Sequence, residues 1–145
     1  MLPSMNTLAT TPNKVGRGMA IMLVLAGTGH FIFGKAVDRI VPAFLPGEPR
    51  FWTYLSGVAE IAIALMLFVP LDKKIAGKSI RLWGAYSAFL LFVAVFPANI
   101  NMAIQWSSRD MPEPLLAYAR LPLQFGLFYW AWALAKDLKI KSDTL

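Results

Sequence analysis

Leu82 to Ser108 reads LWGAYSAFLLFVAVFPANINMAIQWSS, twenty-seven residues without one Asp, Glu, Lys or Arg. A membrane-spanning helix needs roughly 20 mostly apolar residues. On either side of it, Phe51 to Pro70 carries a single charge, Glu60, and Leu115 to Ala135 carries one, Arg120. Gly18 to Gly34 carries none. That run is shorter, but Val15 to Phe33 serves if Arg17 snorkels to the headgroups. The whole chain of 145 residues is 57% hydrophobic and 15% charged, with a mean hydropathy of +0.55. A soluble domain runs near 25% charged. Four such apolar runs leave too little polar surface to cover a soluble particle.

The expected fold is therefore all-α, a transmembrane four-helix antiparallel bundle. Short loops force neighbouring helices to run antiparallel. Residues 1–13 read as a disordered N-terminal tail, 14–136 as one four-helix transmembrane domain, and 137–145 as a basic C-terminal tail. Helix one is expected to end near Gly34, helix two to span Phe51 to about Pro70, helix three Arg81 to Ile104, and helix four Leu115 to Ala135. In the first loop, Lys35 to Arg50, apolar Val37, Ile40, Val41, Phe44 and Leu45 alternate with Lys35, Asp38 and Arg39. That pattern suits a short interfacial segment, and Pro42, Pro46 and Pro49 keep it from becoming a long helix. No cationic region precedes an apolar stretch and no cleavage site follows one, so the first helix is expected to remain as an uncleaved anchor.

Charge placement sets orientation, because cytoplasmic loops carry excess Lys and Arg. Nine basic residues fall on one side, in the Lys14–Arg17, Lys73–Arg81 and Lys136–Lys141 groups, and five on the other. Both termini are expected in the cytoplasm of a multi-pass cell-membrane protein. The net charge of +6 punctuates helix ends and is no nucleic-acid signature. The absence of cysteine excludes disulfide exchange, thiolate metal sites and Cys nucleophiles. A single histidine cannot supply both ligands of a bis-His haem. No metal or flavin site is readable.

Polar residues inside a membrane are expensive, so they face the bundle interior and mark function. His30, Glu60, Asn99, Arg120 and Gln124 stand out, and antiparallel threading brings them all toward the outer half of the bundle. Glu60 lies nine residues past Phe51, roughly 13.5 Å along the helix. Ser56, Glu60 and Ala64 share a face, Gly57 lies beside it, and small residues there favour close packing. Gly27, His30 and Gly34 form a similar face. Arg120 and Gln124 are four apart and share another. Pro97 frees the carbonyl of Val93. Asn99 and Asn101 are about 200° apart on a straight helix, with Asn99 favoured as the inward one. The natural partner for Glu60 is Arg120, a guanidinium with five donors. Each residue also has a plain structural reading: His30 bonding a nearby carbonyl, Arg120 snorkelling, Asn99 and Gln124 bridging helices, Glu60 in a salt bridge.

These residues sit in segments that resemble the DoxX family of small four-helix membrane proteins. The matching segments are GTGHFIFG at Gly27 to Gly34, VPAFLP at Val41 to Pro46, YLSGVAEI at Tyr54 to Ile61, FPANINMA at Phe96 to Ala103 and RLPLQ at Arg120 to Gln124. Their order and spacing carry the resemblance. It implies the same four-helix fold. That family is named for similarity to a subunit of a thiosulfate:quinone oxidoreductase. Some members are linked to membrane-associated oxidative-stress complexes, and most have no established reaction. Related proteins with cysteine pairs do thiol chemistry, which this chain cannot do.

Three functions compete. The first is a redox accessory that binds a quinone or similar lipid-soluble molecule. In it His30 and Glu60 exchange protons, Arg120 and Gln124 hold ligand oxygens, and electrons come from a membrane or peripheral redox partner. The second is a structural or assembly subunit, open to homo-oligomerisation, whose polar residues lock helices. The third is an acid–base enzyme acting on lipid through His30 and Glu60. A transporter suits four helices with no broken-helix pair poorly.

Overall fold

The computed structural model describes residues 14–145, and the tail expected at residues 1–13 lies outside them. The described chain is helical apart from one small hairpin. Its elements are α1 (Lys14–Ile32), α2 (Gly34–Asp38), α3 (Pro49–Phe68), β1 (Lys74–Ile75), β2 (Lys78–Ser79), α4 (Ile80–Trp106) and α5 (Glu113–Asp143). Three helices, α1, α3 and α4, are long and apolar enough to cross a membrane. The longest, α5, is not among them. Only fifteen uncharged residues separate Arg120 from Lys136, and the last turns carry Asp137, Lys139, Lys141 and Asp143.

Helix ends follow local chemistry. Pro49 begins α3 because its fixed φ suits the first turn and its missing N–H is not needed there. Pro70 ends the same helix by forcing Val69 into extended backbone, with ψ 139°. At the start of α4 the Ser79 hydroxyl accepts from the Arg81 N–H at 3.2 Å. The interior prolines Pro97 and Pro122 do not end their helices.

Two segments differ from expectation. The second loop holds a hairpin, with Lys74 opposite Ser79 and Ile75 opposite Lys78. Its central residues Ala76 and Gly77 have φ of 51° and 76°, as a two-residue hairpin turn of this hand requires. An alanine in the first of those positions hides the usual Asn-Gly signal. The C-terminal stretch is not a separate tail, because α5 continues through Asp143 with Leu138 and Ser142 buried. Arg81, counted among the loop charges, is 2% exposed and donates Nε to the Val69 carbonyl at 2.8 Å. It ties the C-terminal end of α3 to α4.

The long helices pack side by side. Gly27 of α1 faces Gly57 of α3, Met66 and Leu67 of α3 face Gly84 of α4, and Phe89 of α4 stacks near Phe128 of α5. The core includes Met19, Leu23, Ile63, Leu67, Phe92 and Leu134, with Ala20, Ala64, Ala85, Ala88 and Ala131 between them. Alanines at these crossings let backbones approach. The outward faces are apolar as well: Leu25, Leu65, Leu90 and Leu123, one on each long helix, are all more than 60% exposed.

Candidate functional site

One cavity of about 730 Å³ lies between the α1–α3 pair and the α4–α5 pair. The segment from Ala36 to Leu45 contributes to one end of its wall. His30, Glu60, Asn99, Arg120 and Gln124 all line it. Five residues spread over ninety-five positions of sequence thus reach one space.

The α1–α3 wall is set by a close helix crossing. A Cβ on Gly27 would meet the Gly57 carbonyl at 2.8 Å, and one on Gly57 would meet the His30 Cβ at 3.0 Å. Only glycine tolerates backbones this near, and the approach sets His30 Nε2 3.7 Å from Glu60 Oε1. His30 Nδ1 lies 2.9 Å from the Thr53 carbonyl. A carbonyl only accepts, so Nδ1 carries the hydrogen and, in the neutral ring, Nε2 is left as an acceptor facing Glu60. Glu60 is 8% exposed, and its Oε2 is buried without a hydrogen-bond partner among the described residues.

Behind Thr53 stands a polar cluster. Its hydroxyl donates to Asp38 Oδ1 at 2.6 Å, and Arg50 donates Nε to Asp38 Oδ2 at 2.8 Å with its terminal nitrogen at 2.7 Å. Hydrogen bonding from Arg50, helped by Thr53, outweighs burial and holds the Asp38 carboxyl below its ordinary 3.8. This cluster ties α2 to α3. Two further bonds tie down the segment after α2: Asn101 donates to the Ile40 carbonyl at 3.1 Å, and Trp52 donates to the Pro46 carbonyl at 2.8 Å. Asp38 and Arg50 looked like loop charges in sequence. Their link to the site needed the loop to fold back over α3.

The α4–α5 wall is a directed chain of donors. Arg120 Nε donates to Asn99 Oδ1 at 3.2 Å, Asn99 Nδ2 donates to Gln124 Oε1 at 2.8 Å, and Gln124 Nε2 donates to the Phe92 carbonyl at 2.6 Å. Asn99 is buried, whereas Asn101 is half-buried and serves the loop. The pairing of Glu60 with Arg120 is not formed. Arg120 instead donates to Asn99 on the neighbouring helix α4, while Glu60 faces His30 across the α1–α3 crossing. The terminal nitrogens of Arg120 keep donor capacity beyond that bond. Among the described residues no group of three or more His, Asp and Glu side chains is placed to hold a metal ion.

The fold and cavity define a class: a helical protein with three helices long and apolar enough to cross a membrane and a mostly apolar cavity that carries a few acid–base and amide groups. The chain belongs to the family described as a domain of unknown function, DUF8561, whose family model matches residues 19–135. That span holds His30, Glu60, Asn99, Arg120 and Gln124. No curated protein matches the chain, and no solved structure matches it.

Proposed function

We propose that this chain is a DoxX-like, four-span integral membrane protein with both termini cytoplasmic. In this reading its cavity binds a lipid-soluble small molecule, a quinone or a lipid, as an accessory to a redox partner. The observation that carries it is the convergence of His30, Glu60, Asn99, Arg120 and Gln124 on one cavity of about 730 Å³, a volume in the range of small-molecule sites. α5 completes the fourth span, with Lys136 snorkelling at its inner end. In a quinol reaction the ring hydroxyls release two protons and two electrons. His30 and Glu60 receive protons, and a redox protein in or on the membrane receives the electrons. Arg120 holds a ligand oxygen.

The test is thermal unfolding of the purified protein with a quinone analogue or a long-chain lipid alcohol. A bound ligand at one hundred times its Kd stabilises by about 2.7 kcal/mol, so the expected result is a clear rise in Tm. That rise should vanish when Glu60→Gln and Arg120→Met are combined. If neither compound raises Tm at any soluble concentration, the proposal fails.

The donor chain from Arg120 to Phe92 favours a second reading, an assembly subunit. There Asn99 and Gln124 serve as helix-to-helix glue, and the same variants lower stability with no ligand dependence.

A further inference from the structure

Two cavity-lining residues each hold a polar side-chain atom that is unmatched among the described residues. Glu60 Oε2 is one and Trp106 Nε1 is the other; both are buried with no hydrogen-bond partner among the described residues. Both residues line the same cavity. Buried polar groups are costly to leave unmatched, and each exception asks for an explanation.

They sit at opposite ends of a long space. Residues of α4 on its wall run from Leu91 to Trp106, about 22 Å of helix. α3 runs against α4 with Met66 and Leu67 facing Gly84. Counting back along both helices sets Glu60 near the level of Leu91. Val95, Ala98 and Met102 line the stretch between, together with Val37 and Ile40 from the capping segment. The amides of Asn99 and Gln124 are engaged with each other there.

Each end specifies what can meet it. An indole nitrogen only donates, so the group at Trp106 is an acceptor oxygen. The Arg109 guanidinium lies 4.7 Å from the Trp106 ring centroid and covers its face, which restrains the ring. At the other end, His30 Nδ1–H is used by the Thr53 carbonyl, so His30 Nε2 and the Glu60 carboxylate both present acceptors. The group that satisfies them is a hydroxyl.

We infer that the cavity takes one elongated amphiphile, with a hydroxyl at the Glu60–His30 end and an acceptor oxygen on Trp106 Nε1. This rests on the cavity being a site for a lipid-soluble molecule, and it narrows that molecule. A quinone, whose oxygens share one ring, meets only one end. Trp106 becomes the anchor of the far end.

The experiment uses the full chain in lipid nanodiscs and four probes of equal length. They are a long-chain ω-hydroxy fatty acid methyl ester, the methyl ester without the hydroxyl, the alcohol without the ester, and the plain hydrocarbon. The hydroxy ester should bind at least about tenfold more tightly than either single-function probe, as one well-placed hydrogen bond allows. Trp106→Phe keeps an aromatic ring and removes the donor. It should bring the hydroxy ester down to the affinity of the alcohol and leave the alcohol unchanged. Equal affinity of hydroxy ester and alcohol in the unmodified protein overturns the assignment, whether or not the variant folds, and leaves the cavity reading standing. Binding of none of the four probes overturns the assignment, and if a quinone analogue also fails to bind, the cavity reading falls with it.

Discussion

Gln124 spans two helices with one side chain. It receives from Asn99 and donates to the Phe92 carbonyl, so Gln124→Leu would strand the Asn99 amide in a buried place. A stranded buried partner costs about 1–3 kcal/mol, and denaturant or thermal unfolding of the variant should show a loss of that order. An unchanged midpoint would mean that Asn99 finds another partner. Asp38 stabilises the fold through its charge. Its carboxyl is held below 3.8 in the fold by Arg50 and Thr53, so the ionised form binds the cluster better than the neutral acid does. The stability it adds is fully present above pH ~4 and is lost as pH falls through the lowered value. An Asp38→Asn protein should therefore be less stable than the parent at neutral pH, with the gap closing in acid.

At the scale of elements, the crossing of α1 and α3 positions the acid–base pair. Gly27 and Gly57 leave no room for a Cβ, whereas nothing lies within 4 Å of a Cβ built on Gly29. Gly27→Ala should thus force the helices apart and cost about 1–3 kcal/mol, the range for overpacking. Gly29→Ala, two residues away on the same helix, should be neutral or gain up to ~1 kcal/mol from helix propensity. Equal thermal midpoints for the two variants would contradict the close crossing. Elements were read unevenly from sequence. Long apolar runs marked α1, α3 and α4 because hydrocarbon-length stretches without charge are rare outside membranes. The hairpin of Lys74–Ser79 went unseen because its turn begins with alanine, and four strand residues carry no usable period. The continuation of α5 past Ala135 went unseen because a basic sequence reads the same in a helix as in a tail. Burial of Leu138 and the Asp137–Lys141 pair at 2.7 Å hold it helical.

For the whole molecule, the orientation proposed from basic residues can be checked directly, since the chain has no cysteine of its own. Single-cysteine proteins Glu48→Cys and Lys78→Cys place a thiol in exposed loops at opposite ends of α3. A membrane-impermeant maleimide applied to intact cells should label the first and spare the second; the reverse pattern inverts the topology. Composition and charge spacing alone pointed to a helical chain with four long apolar runs, of which three are helices long and apolar enough to cross a bilayer, and to a handful of polar residues within those stretches. These are properties of each segment taken singly, and the cost of exposing charge or backbone to hydrocarbon writes them into local sequence. Which polar residues meet was decided only in three dimensions. Glu60 faces His30 because two glycines let α1 and α3 touch, and Arg120 is taken by Asn99 on its own helix pair. Helix rotation and crossing distance choose partners among residues far apart in the chain, and no single stretch of sequence encodes either.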